Sequence, residues 1–340
     1  MPDCNEKGCP LLTSGKCQEG FSDPVECPHY ISDVILDEES IVEKDENGKE
    51  ESTSISVYSG RAIPLSEVNR ISLCNITRLI IFAGMPDSGK TTLLLSLIHI
   101  FQTNPSFAGF LFAGSQTLVD FEEKSFKSKV QSMQHESDTD RTILHEEDPI
   151  RFLHLTLASV ANLRKRQELI FTDVSGELFK NLRHSTKACK EFYICKRADH
   201  FVLFMDADGL SDYNKRALTK SNAIGVLQSL VEAESLTPIT NVQIVFSRWD
   251  LLEEKTDRET HLKYIDGISN EIIAKYGDRF NVGFYKVASR PKPATQILFG
   301  LGIEELLPIW VNKSYIETLP GEDGSNMLPM TISTRQFLQY

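Results

Sequence analysis

The chain has 340 residues, enough for one large domain or two modest ones, and its 41% hydrophobic and 25% charged residues exclude a disordered or fibrous protein. A formal net charge of −12, from 36 Lys plus Arg against 48 Asp plus Glu, argues against a phosphate-tracking nucleic-acid binder or a basic membrane anchor. The longest apolar stretches, 79–85 and 93–101, fall short of the roughly 20 residues that span a bilayer, and the first residues lack the basic and apolar regions of a secretion signal, so a reducing cytoplasm and no membrane are expected.

Four of the seven cysteines, Cys4, Cys9, Cys17 and Cys27, fall at the start of the chain, with His29 just behind the last. In a cytoplasmic chain such clustering points to metal rather than disulfides. The segment is rich in Gly and Pro and poor in apolar residues, so it needs a staple. Tetrahedral Zn²⁺ on three or four thiolates, with His29 as the alternative fourth ligand, would make residues 1–32 a small module. A tail with incidental cysteines is the plainer alternative. Cys74, Cys189 and Cys195 stand in apolar or helical surroundings and read as buried structural thiols. Residues 33–55 hold a dense acidic run interrupted by Lys44 and Lys49 and read as a solvated linker.

From about residue 56 to 315 the pattern alternates between strands and helices. The apolar run Leu79-Ile80-Ile81-Phe82-Ala83 predicts a strand buried on both faces. It leads into Gly84-Met85-Pro86-Asp87-Ser88-Gly89-Lys90-Thr91, which reads G-x-x-x-x-G-K-T, and then into a helix with Leu93, Leu94, Leu97, Ile98 and Phe101 on one face. Strand, glycine loop and helix in that order make a phosphate-binding loop. Between Gly84 and Gly89 the backbone wraps so that its N–H groups, with the positive helix end, point at a β-phosphate. Lys90 then sits between the β- and γ-phosphates and the Thr91 hydroxyl becomes a ligand for Mg²⁺. Asp87, Ser88 and Thr92 complete the lining. A loop of the same shape that binds nothing is the bland alternative.

The next segment, 102–150, is too long for a minimal domain. It predicts a helix from Thr117 to Met133 and then a polar run. Thr142 is the first choice, and Thr139 the second, for a hydroxyl that closes over Mg²⁺; Arg141 is placed to act as an arginine finger in cis, although most such arginines are surface residues. Leu153, Leu155 and Leu157 alternate with His154, Thr156 and Ala158, as in an edge strand. A turn-like stretch from Asn162 to Arg166 would pair it antiparallel with the buried strand Leu169–Thr172. That strand ends in Asp173-Val174-Ser175-Gly176-Glu177. Here Asp173 can hold Mg²⁺ through a water and the Gly176 N–H can meet a γ-phosphate, a D-x-x-G switch.

A further buried strand, 201–205, precedes a helix with Ile224, Leu227, Leu230 and Val231 as its apolar side. The strand 242–246 then leads into Ser247-Arg248-Trp249-Asp250. The Asp250 carboxylate can accept from both N1–H and the 2-amino group of guanine, a pair adenine does not offer, and Arg248 can lay its stem along the ring. Asp250 as a mere helix cap is the bland alternative. The strand 282–287 ends in Ala288-Ser289-Arg290, whose N–H groups, that of Ser289 among them, can meet guanine O6.

Over residues 78–312 these ordered signatures resemble the TRAFAC class of P-loop GTPases. The D-V-S-G-E switch, the long insertion before the hairpin and the Cys-rich start resemble the bacterial double-GTPase family of conflict systems. The resemblance implies an α/β, Ras-like P-loop NTPase fold, a mostly parallel sheet with one antiparallel edge strand, followed by a tail at 316–340. It implies binding and hydrolysis of GTP, GDP as product, Mg²⁺ as cofactor and a protein partner, a second GTPase being one candidate.

Three positions depart from the pattern. Ser247 and Arg248 replace the Asn and Lys of N-K-x-D, which weakens the hold on guanine. Glu177 stands where Ras-type enzymes carry Gln and either orients the attacking water or repels the γ-phosphate. Asp87 falls where similar GTPases carry a residue near a monovalent cation, or is simply an exposed loop acid. A catalytically silent nucleotide switch and a P-loop ATPase or kinase are the competing readings. A zinc-ribbon nucleic-acid adaptor is opposed by the acidic balance.

Overall fold

In the computed structural model, the continuous apolar runs of the sequence become the central strands of a single sheet. Residues 59–72, 75–131, 150–292 and 295–312 are described, together with the backbone of four short strands before residue 53. Those early strands form two antiparallel pairs, β1 (Asp3–Cys4) with β2 (Tyr30–Ile31), and β3 (Val42–Lys44) with β4 (Glu50–Ser52). The chain divides into two units, Met1–Val57 and Tyr58–Tyr340.

In chain order the second unit runs β5 (Ile63–Pro64), α1 (Leu65–Ser72), β6 (Thr77–Ala83), α2 (Lys90–Thr103), β7 (Phe110–Gly114), α3 (Leu118–Gln131), β8 (Arg151–Ser159) and β9 (Asn162–Asp173). It continues with α4 (Gly176–Leu182), α5 (Thr186–Glu191), β10 (His200–Asp206), α6 (Ala207–Ser211), α7 (Arg216–Glu232), β11 (Asn241–Ser247), α8 (Trp249–Glu253), α9 (Arg258–Tyr276), β12 (Val282–Lys286) and α10 (Ile303–Val311). The sheet order is β12-β11-β10-β6-β9-β8-β5, with β7 also on β8. Strands β12 through β9 in that order are parallel, and β8 runs antiparallel to β9.

Strand periodicity sorts the core into two layers. Leu79, Ile81 and Ala83 face one layer with Phe201, Leu203 and Ile244, while Ile80 and Phe82 face the other with Val202, Phe204 and Val245. In the second layer the Phe82 ring stands 5.5 Å from Phe171, 5.1 Å from Phe204 and 5.6 Å from Trp310 of α10. This aromatic cluster fixes the root of the loop that follows β6.

Two expectations about the antiparallel part are corrected. Strand β8 is not an edge, because β5 and β7 pair with its other side. His154 on this strand and Glu168 of the neighbouring strand are both buried. Their burial is compensated by hydrogen bonds. His154 Nε2 lies 2.8 Å from Glu168 Oε2, the Thr156 hydroxyl donates to the same oxygen at 2.6 Å, and Asn75 donates to Oε1 at 2.7 Å. The Gln116 N–H donates to His154 Nδ1 at 3.0 Å, which makes Nε2 the donor toward Glu168. Although burial works to raise the Glu168 carboxyl, the His154 and Thr156 bonds hold it below its ordinary range. Secondly, Asn162–Arg166 is not the turn. It forms the exposed start of β9, and the reversal takes place at Val160 and Ala161, beside a register shift between Ala158 and Ser159.

Helix α3 occupies Leu118–Gln131, within the span expected from sequence, and β7 forms from part of the Phe107–Phe112 segment. Cys189 and Cys195 are buried, and burial pushes the Cys189 thiol up to about 11 and raises that of Cys195 as well. Cys74 lies outside the described residues. Among the described residues no helix is long and apolar enough to cross a membrane.

Candidate nucleotide site

Strand β6 is the point where the order of the sheet reverses, since the chain's later strands lie on one side of it as β10 and on the other as β9. In open α/β sheets ligands bind at the carboxyl ends of strands at such a place. The strands separate there. Parallel pairing of β6 with β9 stops at Ile80↔Phe171, and the next link is a side chain, the Thr172 hydroxyl accepting the Phe82 N–H at 2.9 Å.

The loop 84–89 fills this opening. It turns into α2 through Gly89, left-handed at φ 89°, and Asp87 is left-handed as well at φ 62°. Ser88 is buried and its N–H donates to the Met85 carbonyl at 3.3 Å. Lys90 folds back over the loop, donating to the carbonyls of Gly84 at 2.9 Å and Met85 at 3.0 Å and approaching Ser88 Oγ at 3.4 Å. Burial pushes its ammonium down to about 8, against the opposing pull of Asp87 and Asp173. Thr91 and Thr92 follow in the first turn of α2, half-buried.

The segment 173–177 touches this loop directly. A Cβ on Gly176 would stand 2.3 Å from Pro86 N and 2.6 Å from Pro86 Cα, so only glycine permits the approach. Ser175 caps α4 by accepting the Glu177 N–H at 3.4 Å. The Glu177 carboxylate is half-exposed and accepts from Lys180 at 2.8 Å. Asp173, at the end of β9, is half-buried and accepts at Oδ2 from Lys124 of α3 at 2.6 Å.

The segment at the end of β11 meets the loop from the other side. A Cβ on Gly89 would lie at contact distance, 3.5 Å, from Ser247 Cβ. Arg248, left-handed at φ 54°, donates to the Asp87 carbonyl at 2.6 Å and to Asp206 Oδ2 at 3.1 Å. Asp250 is buried and accepts the Lys292 N–H at 3.3 Å; burial pushes its carboxyl up. The Ala288 N–H donates to the Leu301 carbonyl at 3.1 Å, so of the 288–290 segment that backbone donor is already used, while Ser289 is half-buried beside it.

The loop thus meets Gly176 on one side and Ser247 and Arg248 on the other, with Asp173 close enough to Lys90 to act on its charge. Arg141, Thr139 and Thr142 lie outside the described residues, as do the side chains of Cys4, Cys9, Cys17, Cys27 and His29. Among the described residues no group of His, Cys, Asp and Glu is arranged to hold a metal by itself. Two site residues escaped the sequence reading. Asp206 anchors Arg248, and Lys124 pairs with both Asp173 and Asp120, whose carboxylates outweigh burial and raise its ammonium. The Asp120 and Lys124 spacing of i,i+4 was visible, but the partner 49 residues further on was not.

A family model described as Double-GTPase 2 matches residues 78–311. No curated protein matches the chain. Among solved structures, the S. cerevisiae Ski7 GTPase-like domain bound to GDP and inorganic phosphate is similar with a TM-score of 0.42 and 11% identity, over 71% of this chain and 51% of that one. The same domain bound to GTP gives a TM-score of 0.40 at 13% identity, over 76% and 52%. The signal recognition particle receptor SRb-GTP/SRX complex from Chaetomium thermophilum gives 0.38 at 14% identity, over 69% of this chain and 96% of that one. The chain thus spans about half the length of the Ski7 chain.

Proposed function

The chain belongs to the Double-GTPase 2 family, whose model covers residues 78–311, and from that premise we propose that it is a molecular switch that binds GTP and hydrolyses it to GDP. The observation that carries this reading is the contact between the phosphate loop and the end of β11, Arg248 on the Asp87 carbonyl at 2.6 Å and Ser247 packed against Gly89. A single nucleotide can then touch both the phosphate loop and Asp250.

In this reading Lys90 exchanges its loop carbonyls for β- and γ-phosphate oxygens, which are stronger acceptors. The N–H groups of the loop and the start of α2 hold the phosphates. Asp250 accepts from the guanine edge, and the anchored guanidinium of Arg248 leaves its stem free to lie along the ring. The Gly176 N–H senses the γ-phosphate.

Magnesium fits the donor set, since Thr91 supplies a hydroxyl and Asp173 a carboxylate, hard oxygens of the kind Mg²⁺ takes, and Asp173 Oδ2 already faces a cation. Bound there, the ion would neutralise charge between the β- and γ-phosphates. Thr142 and Arg141 remain our choices for the closing hydroxyl and the arginine finger, and a monovalent cation at Asp87 belongs to the same reading. The Glu177 pairing with Lys180 favours slow intrinsic turnover, and it is also what a catalytically silent switch would have.

For the first unit we propose zinc on Cys4, Cys9, Cys17 and Cys27, with His29 as alternate. Thiolates suit that ion, and the β1–β2 register sets Cys4 opposite Tyr30, the residue after His29. The switch would act in the cytoplasm through a protein partner, which the family's description favours as a second GTPase, in a conflict system. Fluorescent GTP titration and phosphate release with Mg²⁺ test the main claim. Saturable binding that Lys90→Ala abolishes is expected, and equal affinity in that variant would refute it.

A further inference from the structure

Helix α3 belongs to the long insertion between α2 and β8, yet it reaches the nucleotide cleft. Lys124 Nζ lies 2.6 Å from Asp173 Oδ2 and 3.2 Å from Asp120 Oδ2 one turn earlier on its own helix. The Asp173 side chain is 8% exposed and that of Lys124 24%, so this pair is sheltered from the screening that weakens surface pairs.

The same helix is held from the start of the second unit. The Asp120 N–H donates to the Gly60 carbonyl at 3.1 Å, and Arg61 donates through both terminal nitrogens to the Glu123 carboxylate, 2.8 Å each. Gly60 is left-handed at φ 75°, and a Cβ there would stand 2.4 Å from Val119 Cγ2. A strap at residues 59–61 therefore seats the helix that delivers Lys124 to Asp173.

We propose that Lys124 is a positioning residue of the nucleotide site, an internal cation that competes with Mg²⁺ for the Asp173 carboxylate, so that loading Mg²⁺ and nucleotide shifts α3 against the strap at residues 59–61. The inference rests on the GTP reading above. Its physical basis is charge: an ammonium on Oδ2 and a hydrated Mg²⁺ drawing on the same carboxylate repel each other within a few ångströms, so each weakens the other's hold. The Asp120 carboxylate gives the displaced ammonium a partner on its own helix.

The full-length chain, loaded with fluorescent GDP, is titrated with Mg²⁺ while the GDP release rate is followed. In Lys124→Met the Mg²⁺ needed for half-maximal slowing of release should fall about tenfold, within the range usual for coupled sites, whereas Lys124→Arg should stay near wild type. An unchanged or higher Mg²⁺ requirement in Lys124→Met overturns the proposal, and the higher requirement would mean that Lys124 helps to hold the nucleotide. Hydrogen exchange on the wild type gives a second readout. Amides of 59–61 and 118–126 should exchange faster once Mg²⁺ and GDP are added, and unchanged exchange there counts against the proposal. If wild-type release shows no Mg²⁺ dependence at all, the GTP reading fails and takes this inference with it; if only the variant fails to respond, the inference alone falls.

Discussion

At Lys90 burial lowers the ammonium to about 8, although Asp87 and Asp173 act to keep its proton on. The unfolded chain keeps that proton up to about 10.5, so between about 8 and 10.5 the unfolded state binds more protons and this group makes stability rise with pH. Phosphate needs the charged form, so nucleotide affinity should run the opposite way. GTP affinity measured from pH 7 to 9.5 is expected to be level at the lower end and to weaken above about 8; a level profile throughout would mean that Lys90 does not meet the phosphates. Removing the ammonium in Lys90→Ala should cost about 100-fold or more in affinity, the scale of two charge-assisted hydrogen bonds. Gly176 makes a steric prediction instead. Gly176→Ala drives a Cβ into Pro86, and overpacking of that kind costs ~1–3 kcal/mol. Its melting temperature should drop and its response to the γ-phosphate should fade, and GTP and GDP titrations of the variant would reveal both. The glycine, lysine and threonine positions were readable because chain order alone sets the spacing of a phosphate loop. Lys124 and Asp206 were not, because each acts through a partner that only folding brings near.

Among the elements, the parallel strands were legible because they are buried on both faces and leave unbroken apolar runs, as at 79–83 and 201–205. Strand β8 misled for a physical reason: alternation of Leu with His and Thr reads as an edge strand, but a carboxylate on the neighbouring strand takes the His and Thr hydrogen bonds, and β5 and β7 cover the other side. Helix α9 was missed although Ile265, Ile268, Ile272 and Tyr276 recur at helical spacing on its buried side. The β8–β9 network allows a test. His154→Ala leaves the Glu168 charge without its ring donor, and the loss of a hydrogen bond to a charged, buried group costs about 1.5–3 kcal/mol. Urea denaturation should show it, whereas a change below about 1 kcal/mol would mean that Thr156 and Asn75 suffice to hold the carboxylate.

In the whole molecule, the sheet order β12-β11-β10-β6-β9-β8-β5 explains how motifs some 160 residues apart in sequence share one ligand: β6 lies at the reversal, and the loops after β6, β9 and β11 open at the same edge. The order of the motifs was legible, but their meeting was not, because no local pattern records that Arg248 would reach the Asp87 carbonyl. The first unit makes a separate prediction. Metal analysis of the purified chain should find zinc, and chelation should disturb residues 1–32 while leaving GTP affinity unchanged; a chain without zinc would remove the ligand assignment. The account as a whole depends on Asp250 reading the base of a nucleotide held by Lys90. The most direct measurement is the ratio of GTP to ATP affinity in the presence of Mg²⁺, for the wild type and for Asp250→Asn. The account predicts a wild-type preference for GTP of about 100-fold or more that collapses in the variant. Equal affinities for the two nucleotides in the wild type would contradict it.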